Sequence, residues 1–229
     1  MLEDGAAIID VGAYSSRPGA EDISEEEELK RLIPYLKELV SNFPDAVFSV
    51  DTFRANVAQI AIENGAAIIN DISGGNKEMS HAVSTLGVPY ILMHTKGTPQ
   101  TMQQNLKQGK MLSEVMLYFS EKLNKLHKLG AKDIILDPGF GFGKTVEQNY
   151  ELLRASEQFR IFEKPVLAGI SRKSIVNKVL GTKPESAMNG STVLHTLLLG
   201  KGADILRVHD VREAVEAVKL VQQFNSPPL

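Results

Sequence analysis

The sequence predicts one parallel α/β barrel domain over residues 1–229. Seven short apolar runs alternate with amphipathic segments, which is typical of a parallel sheet covered by helices. The runs are nearly continuous in Val, Ile, Leu and Ala, as strands buried on both faces are. Polar residues stand at the carboxyl ends of the runs, and a barrel brings those positions to one mouth. A doubly wound open sheet is the alternative, although there only residues near the switch point could act together.

Predicted strands and helices alternate along the whole chain. The strands are expected at residues 6–11, 47–52, 66–72, 89–94, 133–138, 165–171 and 205–210. One helix is expected after Ser24, whose spacing from Glu27 fits a capping box. Further helices are expected at residues 54–64, 77–86, 112–129, 146–156, 173–180, 187–201 and 211–224. Seven strands, where a barrel of this type has eight, predict that one βα unit is missing from the chain.

The composition excludes several classes of protein. The formal net charge of −3 gives no electrostatic footprint for nucleic acid or an anionic membrane. The absence of cysteine excludes disulfides, thiolate zinc sites and a cysteine nucleophile, and it fits a cytoplasmic location. No apolar run approaches the roughly 18 residues of a membrane span, and the first residues do not have the pattern of a signal peptide.

A glycine-rich segment, residues 137–145, follows the fifth predicted strand. It is similar to a phosphate-binding loop, but the pattern G-x-x-x-x-G-K-[ST] requires glycine where Pro138 stands. We therefore interpret the segment as a wall beside a ligand. Its glycines allow close backbone approach, and Phe142 offers an apolar face.

Polar residues after other strands are candidates for binding. Asn70 lies in a strand-like run where an unpaired amide would be costly, whereas the adjacent Asp71 more simply caps a turn. Arg207 and His209 share one side of the last strand, with solvated loop residues as the alternative.

Three further segments have two interpretations each. Residues 171–174 begin a helix with Ser171 as its N-cap or bind an anion at that helix N-terminus, and the two are compatible. Residues 15–19 form a plain turn or hold an anion at Arg17. His94 is a satisfied barrel residue or a catalytic one. No spacing of histidines and carboxylates identifies a metal site.

Taken together, these segments resemble the dihydropteroate synthase family, in the family's order and over essentially the whole chain. The matching segments are residues 9–12, 15–19, 49–52, 69–71, 93–94, 137–144, 171–174 and 207–210. The resemblance implies a TIM (β/α)8-type barrel with about seven of its eight βα units in this chain, and a homodimer. It also implies a transferase of folate biosynthesis and a target of sulfonamides. Such an enzyme condenses 6-hydroxymethyl-7,8-dihydropterin pyrophosphate with p-aminobenzoate, and it releases 7,8-dihydropteroate and pyrophosphate.

The resemblance also implies a role for each candidate residue. The residues implied to bind the pterin are Asp51, Asn70 and Asp137, with Lys173 at the ring's acceptor side and Met93 and Phe142 as apolar contacts. The groups implied to stabilise the departing pyrophosphate are Arg207, His209, Arg17 and Mg²⁺. The residues implied to hold p-aminobenzoate are Ser174, Ser16 and Pro18.

The chain departs from the family pattern in two ways. Ser16 stands where the family commonly has Thr, and Tyr14 where it frequently has Glu. The family's first strand and loop, with an Asn that helps to bind Mg²⁺, would precede residue 1, so we identify no metal ligand in this chain. Two other functions stay open: a pterin-dependent methyltransferase, and a non-catalytic pterin-binding barrel.

Overall fold

A computed structural model describes residues 1–15, 21–96 and 110–226 of the protein. The described part of the chain alternates strands and helices, as the apolar runs predict. The strands are β1 Ile8–Val11, β2 Val47–Asp51, β3 Ile68–Asp71, β4 Tyr90–Met93, β5 Ile134–Asp137, β6 Leu167–Ala168 and β7 Ile205–Leu206. Within the described residues, no helix is both long enough and apolar enough to cross a membrane.

The strands pair in parallel and in chain order. β1 to β5 form one sheet, β6 pairs with β7, and a parallel bridge between Leu136 and Val166 joins the two groups. A doubly wound sheet would reverse its strand order at a switch point. The order of the described strands has no reversal, so the open-sheet alternative is wrong and the barrel-type fold is confirmed.

Eight α-helices follow the strands in the described part of the chain. They are α1 Glu25–Asn42, α2 Ala55–Glu63, α3 Lys77–Leu86, α4 Met111–Lys128, α5 Val146–Arg154, α6 Ser174–Leu180, α7 Met188–Gly200 and α8 Val211–Asn225. Two short 3₁₀ helices, Ser156–Phe162 and Pro184–Ser186, precede β6 and α7, and the sequence patterns do not predict them.

Local sequence explains where several helices begin and end. The side chains of Ser24, Asn76 and Thr145 accept hydrogen bonds from the first turns of α1, α3 and α5. Thr145 and Gln148 form a reciprocal capping box. It provides acceptors for two backbone N–H groups that have no partner within the helix. Gly87 ends α3 in the left-handed conformation that glycine adopts without strain.

β6 and β7 are shorter than predicted, with two residues each instead of runs to residues 171 and 210. The last backbone hydrogen bond between the two strands runs from the Arg207 amide to the Ala168 carbonyl. The chain then turns at both strand ends, and polar loops replace the ladder. The apolar runs predicted burial correctly but not the length of regular pairing.

An apolar layer fills the barrel near the strand beginnings. Its side chains come from six different strands: Ile8, Ile68, Ile91, Ile135, Leu167 and Ile205. Because this cluster includes both β1 and β7, the sheet curves enough for its two ends to share one interior. The layer forms the floor on which the candidate site rests.

Candidate active site

The candidate site lies two residues beyond the apolar floor along the strands. Side chains in a strand alternate between faces, so residues two apart point to the same side. The residues one step above the floor are Asp10, Asn70, Met93, Asp137, Gly169 and Arg207, and Asp51 pairs in register with Asn70. The barrel therefore gathers the polar strand ends that the sequence singled out.

Asp10 joins side chains from three other strands of this layer. Its carboxylate accepts hydrogen bonds from the Ser49 hydroxyl and from Asn70 Nδ2, the latter at 2.9 Å. Arg207 Nη1 lies 3.7 Å from Asp10 Oδ2. The sequence patterns place Asp10 at a strand end but assign it no role. Its two-residue spacing from Ile8 is the signal that could have identified it.

Asp51 faces the same interior from β2. Burial, and next the nearby Asp10 carboxylate, raise the pKa of Asp51 to about 7, although Arg207 opposes the shift. Near neutral pH this carboxyl can therefore act as a hydrogen-bond donor or as an acceptor. Gly12 lies against it, because a Cβ at Gly12 would stand 3.1 Å from Asp51 Cβ.

Two buried oxygen atoms have no hydrogen-bond partner among the described residues: Asn70 Oδ1 and Asp137 Oδ2. The other Asp137 oxygen accepts a 2.7 Å hydrogen bond from the Gly139 amide. Leaving a buried polar atom unpaired costs about 1–3 kcal/mol. Such atoms at strand ends are candidate positions for hydrogen bonds to a polar ligand.

Lys173 reaches the site from the loop after β6. Its amino group donates a 2.7 Å hydrogen bond to the Phe140 carbonyl and lies 4.4 Å from the centre of the Phe142 ring. Burial, and next the positive charge of Arg207, lower the pKa of Lys173 to about 7. The Asp137 carboxylate acts in the opposite direction and favours the charged form.

Arg207 stands between two carboxylates. Its guanidinium lies 3.6 Å from Asp137 Oδ2 and 3.7 Å from Asp10 Oδ2, both longer than a normal hydrogen bond. Burial works against its charge, but Asp137, Asp10 and Asp51 together raise its pKa. Arg207 is thus a permanent cation held at the mouth of the site.

Ser171 positions His209 and is not the N-cap of α6. The Ser171 hydroxyl accepts from the His209 amide at 3.2 Å and lies 3.0 Å from His209 Nδ1. The N-cap is Lys173, which makes no side-chain capping bond, so the N-cap interpretation of Ser171 is wrong. The Ser171 contact joins residues 38 positions apart, and local sequence patterns do not show it.

Met93 and Phe142 meet in one small apolar cluster with Ile72. All three side chains are buried, and the cluster stands beside Lys173. Their role as an apolar wall for a ligand stays a prediction.

The glycine-rich segment after β5 has no phosphate-loop geometry. The Lys144 amino group turns inward and donates to the carbonyls of His94, Gly139 and Phe142, so it does not face a ligand. The sequence interpretation, a wall and not a phosphate site, agrees with this geometry. Asp71 also behaves as predicted, because its carboxylate accepts from the Ser73 and Gly75 amides of the following turn.

The remaining predicted residues are placed as follows. Ser174 is the first residue of α6 and directly follows Lys173. Ser16, Arg17 and Pro18 lie outside the described residues. Within residues 1–15, 21–96 and 110–226, no three His, Asp or Glu side chains converge as a metal site. The described residues therefore offer no complete protein ligand set for Mg²⁺, and no step below uses the metal.

Comparison with known proteins identifies relatives of the whole chain. Residues 1–209 match the family model described as pterin binding enzyme. Dihydropteroate synthase of Escherichia coli (strain K12) is 41% identical over 225 residues, which cover 97% of this chain and 79% of the relative. The Bacillus subtilis (strain 168) dihydropteroate synthase is 39% identical over 223 residues, covering 96% and 76%.

Solved structures of similar proteins have the same fold as this chain. The Yersinia pestis dihydropteroate synthase with a sulfonamide drug superimposes with a TM-score of 0.94 at 38% identity, covering 99% of this chain and 83% of that one. The Xanthomonas albilineans dihydropteroate synthase with 4-aminobenzoic acid gives 0.91 at 35% identity, covering 99% and 82%. Both likenesses extend over nearly all of the present chain.

Proposed function

Since the chain belongs to the pterin-binding enzymes, and within them to the dihydropteroate synthases, we propose how its strand-end residues carry out that transfer. A dihydropteroate synthase is a transferase that joins a pterin, delivered as its pyrophosphate ester, to p-aminobenzoate. The observation that carries the proposed site is the pair of buried oxygens without a hydrogen-bond partner, Asn70 Oδ1 and Asp137 Oδ2, beside the basic side chains of Lys173 and Arg207.

The pterin ring binds edge-on to the carboxylate and amide groups. One edge of the ring carries amidine-like N–H donors, and Asp137 Oδ2 and Asn70 Oδ1 are acceptors that need such donors. Lys173 donates to the ring's acceptor atoms, and Asp51 completes the set with a carboxyl that can donate or accept near neutral pH. Met93 and Phe142 contact the ring's apolar surface.

The pyrophosphate leaves toward Arg207 and His209. A leaving group with several negative charges needs cations fixed where that charge develops. Arg207 is held between Asp10 and Asp137, and Ser171 orients the His209 ring. We assign Arg17 to the same task. The bond from the pterin methylene to the pyrophosphate oxygen breaks, and that oxygen keeps the electron pair.

The amine of p-aminobenzoate then forms the new bond to the pterin methylene and loses one proton. An arylamine is a nucleophile while it is neutral, so the reaction needs no strong base. We assign its carboxylate to Ser174 and the closure over it to Ser16 and Pro18. The proposal for Ser174 rests on its place beside Lys173, one residue from the pterin end of the site.

Mg²⁺, a homodimer and a cytoplasmic location complete the proposal. Mg²⁺ keeps several of its waters and usually binds through one or two carboxylates together with substrate phosphates, so we assign it to the substrate pyrophosphate.

For the homodimer, exposed apolar side chains on α7, namely Met188, Val193 and Leu197, are candidates to bury against a second copy. The cysteine-free composition favours the reducing cytoplasm.

Two measurements test the proposed site and activity. Calorimetry with 6-hydroxymethylpterin, which has no pyrophosphate, should show binding, and the Asp137→Asn substitution should weaken it. Incubation with the pterin pyrophosphate and p-aminobenzoate should give dihydropteroate, and leaving out either substrate should abolish it. Binding without product would favour the non-catalytic pterin-binding barrel.

A further inference from the structure

Lys144 is a buried lysine that the proposed chemistry does not use. Burial lowers the pKa of Lys144 to about 7, although the Asp137 carboxylate favours the charged form. The Lys144 side chain is 3% exposed, and its three ammonium donors bind three backbone carbonyls. The distances are 2.7 Å to Gly139, 3.1 Å to His94 and 3.1 Å to Phe142. Burying an ammonium group is costly unless its donors are satisfied. Lys144 thus ties the end of β4 to both sides of the glycine-rich segment after β5.

The same segment lies unusually close to the chain after β4. A Cβ at Gly139 would stand 2.0 Å from the His94 carbonyl oxygen, and one at Gly143 would stand 2.5 Å from that of Lys96. Glycine at these two positions allows the two backbone segments to come this close. The Lys144 amino group donates to the carbonyls of His94, Gly139 and Phe142, which converge on it. Asn149 adds a further tie, because its Oδ1 accepts from the Gly141 amide at 2.7 Å.

Lys144 binds carbonyls of the same segment whose other backbone groups contact Asp137 and Lys173. The Gly139 amide donates to Asp137 Oδ1, and this contact leaves Oδ2 for the ligand. The Phe140 carbonyl accepts from Lys173, whose amino group also lies over the Phe142 ring. A shift of the segment would therefore move Asp137 and Lys173 together.

We propose that Lys144 is a positioning residue for pterin recognition, which acts through the glycine-rich segment on Asp137 and Lys173 without touching the substrate. The inference rests on the proposed function, because it assumes that the pterin binds at Asp137. It predicts a loss that is specific to the pterin. Binding of p-aminobenzoate, which we assign to Ser174 at the start of α6, should depend less on this segment.

The test is the Lys144→Met variant, which keeps the length of the side chain and removes the ammonium. We expect its affinity for 6-hydroxymethylpterin, measured by calorimetry, to fall at least ten-fold. The KM for the pterin pyrophosphate should rise, while the KM for p-aminobenzoate should change less than three-fold. Lys122→Met is the matched control. Lys122, in α4, also donates to a glycine carbonyl, that of Gly75. The loop that contains Gly75 carries no proposed site residue, so pterin affinity should stay within two-fold.

A chemical rescue separates the charge from the bulk of the side chain. The protein has no cysteine, so Lys144→Cys carries a single thiol. Alkylating the unfolded variant with 2-bromoethylamine and refolding it restores an amine at nearly the lysine length. We expect this amine to recover pterin affinity, whereas the carbamidomethyl derivative, which is neutral, should not recover it.

Several results would overturn the inference. A folded Lys144→Met protein with normal pterin affinity would do so, as would equal losses for both substrates. If Lys144→Met does not fold, Lys144→Gln, which keeps two N–H donors, takes its place under the same criteria. Loss of folding in every Lys144 variant would assign the lysine to stability alone. If the unaltered protein fails to bind the pterin, the proposed function fails first, and the two failures are distinguishable.

Discussion

At the residue scale, the site depends on a few polar atoms placed above an apolar floor. Asp10, Asn70 and Asp137 each stand two residues after a floor side chain on the same strand. The position of Asn70 and Asp137 at the ends of apolar runs is visible in the sequence, and it predicted that both lie at one mouth of the barrel. The sequence did not show that Asp10 and Asn70, 60 positions apart, share a hydrogen bond, because such contacts depend on strand register.

Asp137→Asn should weaken binding of 6-hydroxymethylpterin by about 1.5–3 kcal/mol, the range for a hydrogen bond to a charged group. The substitution keeps the size of the side chain but removes its charge and replaces one acceptor oxygen by a donor. Calorimetry at fixed pH measures the change. Unchanged affinity would show that Asp137 Oδ2 does not receive the ligand.

Arg207→Ala and His209→Ala should separate turnover from pterin binding. Both groups are assigned to the leaving pyrophosphate, so kcat/KM for the pterin pyrophosphate should fall more than the affinity for 6-hydroxymethylpterin. Steady-state kinetics and calorimetry on the same preparations give the two quantities. Equal losses in both would contradict the leaving-group role.

At the element scale, the loop after β5 organises the ligand wall. Its sequence is similar to a phosphate loop at first sight, but Pro138 in place of a required glycine is enough to exclude that function. The pattern did not show that Lys144 turns inward or that the backbone carbonyl of His94, 50 positions away, accepts a hydrogen bond from it. Burial, and next the charge of Lys144, lower the pKa of His94 to about 3, so this histidine is neutral at physiological pH.

Gly139→Ala should cost more stability than Gly87→Ala. Both glycines have positive φ, +66° and +64°, so each alanine meets the left-handed penalty of about 1–2 kcal/mol. A Cβ at Gly87 meets nothing within 4 Å, whereas one at Gly139 meets the His94 carbonyl oxygen at 2.0 Å. Urea unfolding measures the free energies, and only Gly139→Ala should also weaken pterin binding. Equal costs would show that the close approach is unimportant.

At the scale of the whole molecule, the order of elements was predictable and the extent of pairing between the later strands was not. Seven apolar runs predicted seven parallel strands and their helices, because strands buried on two faces need apolar residues throughout. The ladder between β5 and β6 is a single bridge, and β6 and β7 have two residues each. Such lengths depend on packing at the barrel mouth, where Arg172 pairs with Asp210 across the last two loops. The expectation of an eighth βα unit stays a prediction.

The proposed homodimer predicts that a charge on α7 disrupts association. Leu197 is 49% exposed and Val193, one helical turn away, is 51% exposed. Leu197→Glu should therefore shift the protein from dimer to monomer in light scattering after size-exclusion chromatography. Ile161→Glu is the control, because Ile161 is 74% exposed on a different face and should leave the mass unchanged. A mutant that stays dimeric would exclude this face as the interface.

The most direct test of the central claim, that these strand-end residues carry out a pterin transfer, follows both products in one reaction. The purified protein is supplied with 6-hydroxymethyl-7,8-dihydropterin pyrophosphate and p-aminobenzoate, and dihydropteroate and pyrophosphate are measured over time. We predict equal amounts of the two products at about 1 per second or faster, an ordinary enzymatic rate, and formation that depends on both substrates. Pterin binding without dihydropteroate, or sustained pyrophosphate release in excess of dihydropteroate, would contradict it.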